Sequence, residues 1–219
     1  MSTTSINRLA AAMARLPLVA ILRGLRPHEA EDIGLALEGA GFALVEVPLN
    51  SPQPFDSIAA LRRVLAPDTL VGAGTVTSVE DVLRLRQLGA DLVVMPHADT
   101  AVIRAAKEAG MFCVPGVATP TEAFAAIAAG ADALKLFPAE LVTDGVMKAM
   151  RAVLPAHVPL LPVGGITPAS LAPWHRAGAS GFGLGSALFS PGLSTEAVAA
   201  NAHAFVQAWR RCAAASPPG

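Results

Sequence analysis

The 219-residue chain has only two cysteines and three lysines, and it lacks long apolar runs and runs of like charge. Two cysteines, Cys113 in an apolar segment and Cys212 near the C-terminus, argue against a structural disulfide and favour a reducing cytoplasm. No stretch reaches the roughly 18 uninterrupted apolar residues of a membrane span. A net charge of −1 without charge clusters also excludes the electrostatic footprint of a nucleic-acid or membrane-surface binder.

What the chain does have is a regular alternation of short apolar segments with amphipathic ones, which predicts alternating strands and helices. The predicted strands lie at 17–22, 43–49, 69–74, 91–95, 111–115, 132–137, 158–163 and 180–184. The predicted helices lie at 4–14, 28–39, 54–64, 78–88, 99–108, 121–129, 145–153, 169–176 and 195–212.

Eight strands with intervening helices, repeating about every 20–25 residues, favour an α/β fold, a single (β/α)8 TIM barrel. We expect one domain over 1–219, with an extra N-terminal helix within 1–15 and a flexible tail at 213–219. A doubly wound open sheet is the alternative. It is disfavoured because the turn after the first strand has a single glycine, Gly24, rather than a glycine-rich dinucleotide turn.

Lys135 lies within the apolar segment 133–138, which is typical of a buried strand. Lys107 and Lys148 instead fall in helical patterns, where the ammonium group can stay solvated. Burial disfavours the charged amine, and a neutral amine attacks carbonyl carbon. Lys135 therefore predicts Schiff-base chemistry. The alternative is a lysine that extends its ammonium group out of a strand end into water.

Glu46 is a carboxylate flanked by valines inside the second predicted strand. A buried carboxylate is costly unless it is paired or used in chemistry. Because the chemistry of such barrels lies at the carboxyl ends of the strands, Glu46 and Lys135 can share one pocket, where Glu46 would move protons for the amine. The alternative is a structural ion pair inside the barrel.

Glycines end the seventh and eighth predicted strands, at Gly164-Gly165 and at Gly183-Leu184-Gly185-Ser186. These two loops form the usual phosphate site of such barrels. Glycine lets backbone N–H groups approach phosphate oxygens, and Ser186 adds a hydroxyl. Together the two loops predict a phosphate site, whereas either one alone is equally consistent with a plain turn.

Three further polar residues follow predicted strands. Arg23 can pair with a substrate carboxylate through two hydrogen bonds, or it can be an ordinary surface arginine. Thr75 can hydrogen-bond the substrate or support the pocket. The five histidines show no metal-ligand spacing, so we expect His97 to lie on the rim rather than to bind a metal.

Six segments spread over nearly the whole chain carry a resemblance to a known family. They are Ala20–Gly24, Val45–Pro52, Val71–Val76, Leu134–Pro138, Val163–Gly165 and Gly183–Ser186. As a set they resemble the short class I aldolases for 2-keto-3-deoxy-6-phospho sugar acids, the KDPG/KHG aldolase family. The resemblance implies a (β/α)8 barrel, usually a homotrimer, with no cofactor and no catalytic metal.

The resemblance also implies a role for each matched residue. Lys135 would be the Schiff-base lysine and Glu46 the general acid/base. Thr75 and Phe137 would line the pyruvate part of the site. The phosphate would be held by Gly164, Gly165, Gly185 and Ser186.

The segment after the second strand separates two branches of the family. The phosphogluconate branch typically has Glu-Val-Thr-Leu-Arg there, and its Arg helps to bind substrate. Residues 46–50 here are Glu-Val-Pro-Leu-Asn, which resembles the phosphogalactonate branch and leaves the carboxylate to Arg23. One departure is Met95-Pro96-His97, where this branch often has Thr-Pro-Asn.

The expected function is reversible cleavage of a phosphorylated keto acid, 2-dehydro-3-deoxy-6-phosphogalactonate, to pyruvate and glyceraldehyde 3-phosphate. The phosphogluconate epimer or dual specificity stays open, because the sequence does not show where the C4 hydroxyl points. Two other classes also stay open. A sugar-phosphate epimerase would use Glu46 as its base, and a non-catalytic phosphate-ligand binder would leave Glu46 and Lys135 without a role.

Overall fold

The computed structural model describes residues 3–215, with side chains from residue 8 onward. The strands are β1 Leu18–Ile21, β2 Leu44–Pro48, β3 Leu70–Gly74, β4 Leu92–Val94, β5 Phe112–Val114, β6 Gly116–Val117, β7 Leu134–Leu136, β8 Leu160–Pro162 and β9 Phe182–Leu184. The α-helices are α1 Thr3–Arg15, α2 Ala30–Gly39, α3 Pro54–Val64, α4 Val79–Gln87, α5 Thr100–Glu108, α6 Pro120–Ala128, α7 Asp144–Val153, α8 Leu171–Arg176 and α9 Thr195–Ala214.

Two parallel sheets contain these strands, which confirms the predicted α/β class. One has six strands in the order β5-β4-β3-β2-β1-β9, and the other has three in the order β6-β7-β8. The first five strands run consecutively across the sheet, without the reversal of order that a doubly wound fold requires. A parallel bridge between Val163 and Gly183 lies between β8 and β9.

The predicted strand at 111–115 is observed as β5, which ends at Val114, and a further short strand, β6, follows Pro115 beyond the predicted end. Proline has no N–H for the strand ladder, so pairing is interrupted there. The backbone N–H of Asp132 donates to Cys113 O (3.0 Å), and that of Lys135 donates to Pro115 O (2.9 Å). These bonds place the start of β7 beside the junction of β5 and β6. The predicted eight strands are therefore nine segments in two sheets.

Buried side chains fall on two faces of the strands, as expected from the alternation of side chains along a strand. The outer face packs against the helices and includes Leu18, Val45 and Val71. The inner face forms a separate apolar cluster that includes Leu44, Leu70, Leu92, Phe112 and Leu161. Ala12 of α1 belongs to this inner cluster, and Leu9 and Met13 pack against it.

The helix boundaries agree with the predicted ones to within two residues, apart from short 3-10 turns at Pro27–Glu29 and Pro168–Ser170 that precede α2 and α8. Proline is favoured at a helix start because its missing N–H is not needed there. The predicted tail at 213–219 begins too early, since Ala213 and Ala214 still belong to α9. Residues 216–219 lie outside the described residues. Within 3–215, no helix is long and apolar enough to cross a membrane.

Candidate active site

Lys135 in β7 and Glu46 in β2 both lie on the inner face of their strands. Their side chains line the same small apolar cavity of about 20 Å³, together with inner-face residues such as Val19 and Leu161. Glu46 is only 1% exposed and Lys135 only 5% exposed. Strand pairing fixes both positions. Glu46 is in register with Ile21 and Gly72, and Lys135 is in register with Gly116 and Leu161. The structure thus encloses an acid and an amine among apolar side chains.

The Glu46 carboxylate is incompletely satisfied. Its Oε2 atom is buried and has no hydrogen-bond partner among the described residues. Burial raises the pKa of Glu46 to about 7, although the positive charges of Lys135 and Arg23 act in the opposite direction. The carboxyl group can therefore gain or lose a proton near neutral pH, which is what a general acid/base requires.

Lys135 is buried close to two other charged side chains, Glu46 and Arg23. Burial lowers the pKa of its amine, the charge of Glu46 raises it, and the charge of Arg23 lowers it. Its Nζ atom lies 4.4 Å from the centroid of the Phe137 ring. A lowered pKa increases the fraction of neutral, nucleophilic amine at neutral pH.

A second cavity, of about 210 Å³, opens at the carboxyl ends of β1, β7, β8 and β9. It brings together seven of the nine predicted site residues: Arg23, Lys135, Phe137, Gly164, Gly165, Gly185 and Ser186. Gly164 and Gly165 have φ values of 118° and 59°, in the left-handed region that favours glycine. No atom lies within 4 Å of the point where a Cβ on Gly185 would stand, so this part of the cavity is open.

The other two predicted residues lie next to this cavity. Glu46 lines the inner cavity together with Lys135, and Thr75 is hydrogen-bonded to Arg23, which lines the larger cavity. The Arg23 guanidinium donates from Nη1 to Asn50 Oδ1 (2.6 Å) and from Nη2 to Thr75 Oγ1 (3.5 Å). Thr75 has a φ of 55°, which is uncommon for a β-branched residue and typical of functional sites.

Sequence reasoning missed three residues of this site. Asn50 fixes the Arg23 side chain. Gly74 makes room for Glu46, because a Cβ on Gly74 would stand 1.8 Å from Glu46 Oε2. Glu140 lines the larger cavity and lies against Gly164. The sequence signal for Asn50 and Gly74 was their place at strand ends beside residues already selected.

His97 is exposed and does not line either cavity, as expected for a rim residue. Across residues 3–215, no group of three or more His, Cys, Asp or Glu side chains is arranged to hold a metal ion. The two cavities offer an amine, a carboxyl group and hydrogen-bond donors.

The model of the KDPG and KHG aldolase family matches residues 9–203. The chain belongs to this family. It is 48% identical over 197 residues to 2-dehydro-3-deoxy-6-phosphogalactonate aldolase of Escherichia coli K12, covering 90% of this chain and 96% of that aldolase. It is 46% identical over 193 residues to a probable 2-dehydro-3-deoxy-6-phosphogalactonate aldolase of Rhizobium meliloti, covering 88% and 91%.

A solved structure of native KDPGal is also similar. It superposes with a TM-score of 0.90 at 47% identity, covering 91% of this chain and 97% of that one. The similarity thus extends over nearly the whole length of both chains.

Proposed function

We propose that this aldolase cleaves 2-dehydro-3-deoxy-6-phospho-D-galactonate reversibly to pyruvate and D-glyceraldehyde 3-phosphate. The observation that carries the chemistry is the buried pair of Lys135, with a lowered pKa, and Glu46, with a pKa raised to about 7. The substrate follows from the two relatives at 48% and 46% identity, both of which are named for the phosphogalactonate substrate.

The neutral amine of Lys135 attacks the C2 ketone, and loss of water from the carbinolamine gives an iminium. Glu46 transfers the protons of these steps. The iminium accepts the electron pair of the C3–C4 bond as the C4 hydroxyl loses its proton, which releases glyceraldehyde 3-phosphate. The resulting enamine is protonated at C3, and water then releases pyruvate and regenerates the amine.

The remaining site residues bind the substrate in this proposal. Arg23, held by Asn50 and Thr75, pairs with the C1 carboxylate. Phe137 and Thr75 border the pyruvate part. The phosphate is held at the open glycine loops by backbone N–H groups and a hydroxyl. These groups belong to Gly164, Gly165, Gly185 and Ser186. Binding the phosphate far from the broken bond orients the substrate for the reaction.

The assembly of the chain is part of the same proposal. The Val163–Gly183 bridge and the β5–β6 junction support closure of the two sheets into one (β/α)8 barrel, forming a single domain. Exposed apolar side chains, among them Phe124 (47% exposed) and Leu141 (77%), support contacts between subunits of a cytoplasmic homotrimer. Light scattering after size-exclusion chromatography measures the oligomer directly.

The decisive experiment is incubation with pyruvate and borohydride, followed by intact-mass analysis. A Schiff base is reduced to a stable adduct, so we expect one adduct on the native chain and on Lys148→Ala, whose lysine is exposed on α7. Lys135→Ala should carry none and should lose all turnover. No adduct on the folded native chain would contradict the aldolase mechanism and favour an epimerase or a phosphate binder.

The C4 epimer is then assigned by kinetics. We expect a higher kcat/KM for the phosphogalactonate substrate than for its phosphogluconate epimer, since discrimination between epimers needs a placed hydrogen-bonding group. Equal values for the two substrates would establish a dual-specificity aldolase, with the same lysine chemistry.

A further inference from the structure

The carboxylate of Glu140 occupies space that the absence of a side chain at Gly164 leaves free. A Cβ on Gly164 would stand 2.2 Å from Glu140 Oε2, and a Cβ on Gly165 would stand 3.3 Å from Glu140 Oε1. Glu140 is exposed and lies in the loop between β7 and α7. The two glycines proposed to hold phosphate are therefore covered by an anionic group.

The position of the Glu140 carboxylate is unusual because of the charged side chains that line the larger cavity. Its lining contains two basic residues, Arg23 and Lys135, and one acidic residue, Glu140. Glu140 has no hydrogen bond or ion pair to any other described residue that would hold its carboxylate in place or neutralise it. A phosphate that approaches Gly164 would meet this negative charge at short range.

We propose that Glu140 is a specificity-determining residue that weakens the binding of the phosphate group. Its carboxylate lies over Gly164 and Gly165 in the free enzyme, and it must turn toward solvent before a phosphate can reach their backbone N–H groups. The inference rests on the proposed function, because it requires the substrate phosphate to bind at these loops.

Two properties of the loop support this role. The Glu140 side chain is exposed, so it can change rotamer without disturbing the core. The side of the cavity near Gly185 is open, so a phosphate can enter there while Glu140 moves aside. The repulsion acts on substrate and product alike, since both carry the phosphate. Its removal should therefore change KM much more than kcat.

The test is Glu140→Gln, which keeps the shape of the side chain and removes the charge. In the synthesis direction, we expect the KM for glyceraldehyde 3-phosphate to fall about three- to tenfold, as expected for removal of one charge near a phosphate. The KM for unphosphorylated glyceraldehyde should stay the same. The inhibition constant of inorganic phosphate should fall by the same factor as the KM for the phosphorylated aldehyde.

The matched control is Glu108→Gln, which removes one exposed negative charge at the end of α5, at the opposite edge of the strands. It should leave both KM values unchanged, which excludes an effect of net charge. An unchanged or higher KM for glyceraldehyde 3-phosphate in Glu140→Gln would overturn the inference.

Ser186→Ala separates this inference from the proposed function. If Ser186→Ala raises the KM only for the phosphorylated aldehyde while Glu140→Gln has no effect, the phosphate site stands and the role of Glu140 is wrong. If neither variant distinguishes the two aldehydes, the phosphate does not bind at these loops, and both the placement and the role of Glu140 are wrong.

Discussion

Two buried carboxylates of the six-stranded sheet, Glu46 in β2 and Asp91 just before β4, differ in the number of hydrogen bonds that they accept. Asp91 accepts hydrogen bonds from Arg8 Nη1 (2.7 Å), Arg62 Nη1 (2.8 Å) and the backbone N–H of Val71 (3.2 Å). Glu46 leaves Oε2 without a partner in the described part of the chain. Burial therefore does not distinguish the two carboxylates, whereas the missing donor at Glu46 does, and it supports the proposed catalytic role of Glu46.

Partly buried Lys107 and buried Lys135 differ in the same way. Lys107 forms an ion pair with Asp132 and donates to the carbonyl of Met111 (3.0 Å). Lys135 has the face of Phe137 beside its amine and a lowered pKa. Lys107, Asp132 and Asp91 lie at the amino-terminal edge of the strands, whereas Lys135 and Glu46 are the central residues of β7 and β2. Charges at the amino-terminal edge are thus paired and stabilise the fold, while the two inside the strands are incompletely compensated.

The largest effect that would sharpen this contrast is expected for Glu46→Gln. Loss of a general acid/base should lower kcat by about 10²- to 10⁴-fold. The free energy of unfolding, unlike kcat, should not fall in this variant at high pH. The pKa of Glu46, about 7 in the folded chain against an ordinary 4.5, means that its contribution to stability is present at low pH and lost as pH rises through 7. Urea unfolding at pH 8 should therefore find the variant at least as stable as the native chain.

For Asp91→Ala we expect a loss of stability, with the chemistry of the site retained. The substitution leaves Arg8 and Arg62 without their shared acceptor, so the free energy of unfolding should fall by about 2–3 kcal/mol, less than for a fully buried pair because both arginines are partly exposed. Pyruvate trapping on the folded variant should remain. Asp68→Ala, which breaks an exposed ion pair with Arg15, should cost less than about 1 kcal/mol in the same urea titration.

An intermediate effect is expected for Gly74→Ala. The new methyl group would stand 1.8 Å from Glu46 Oε2, so the carboxylate must move away from its present position. We expect kcat to fall about 10- to 100-fold, since small displacements of a catalytic group are costly. Gly39→Ala, a substitution with no atom within 4 Å of the new Cβ, should leave kcat unchanged. An unaffected kcat in Gly74→Ala would mean that the position of Glu46 is not critical.

How much of the fold and of the candidate site could be predicted depends on how far apart in the sequence the interacting residues lie. The alternation of apolar segments fixes the order of strands and helices, and the carboxyl ends of parallel strands converge. Lys135 and the glycine loops were therefore predictable as one site, and the structure brings them to one cavity together with Phe137, which only the family resemblance indicated. The break between β5 and β6 at Pro115 could also have been predicted from the sequence, because proline interrupts the strand ladder.

The missed residues depend on contacts between distant parts of the chain. Asn50 acts on a side chain 27 positions away. Gly74 matters because strand register brings it beside Glu46. The position of Glu140 depends on the path of the loop after β7. No local pattern encodes side-chain contacts of this kind, so the charged network around the lysine could not be derived from strand order alone.

The smallest expected effect is a shift in the pH dependence of pyruvate trapping at Lys135. Arg23 lowers the pKa of Lys135, and it also lowers that of Glu46. Because the neutral amine is the nucleophile, the rate of pyruvate trapping falls as pH drops through the pKa of Lys135. Arg23→Gln should raise that pKa and move the acid limb of the trapping rate to higher pH. Arg62→Gln, at the edge where charges are paired, should leave the limb in place. A shift to lower pH in Arg23→Gln would mean that Arg23 does not act on the amine through its charge.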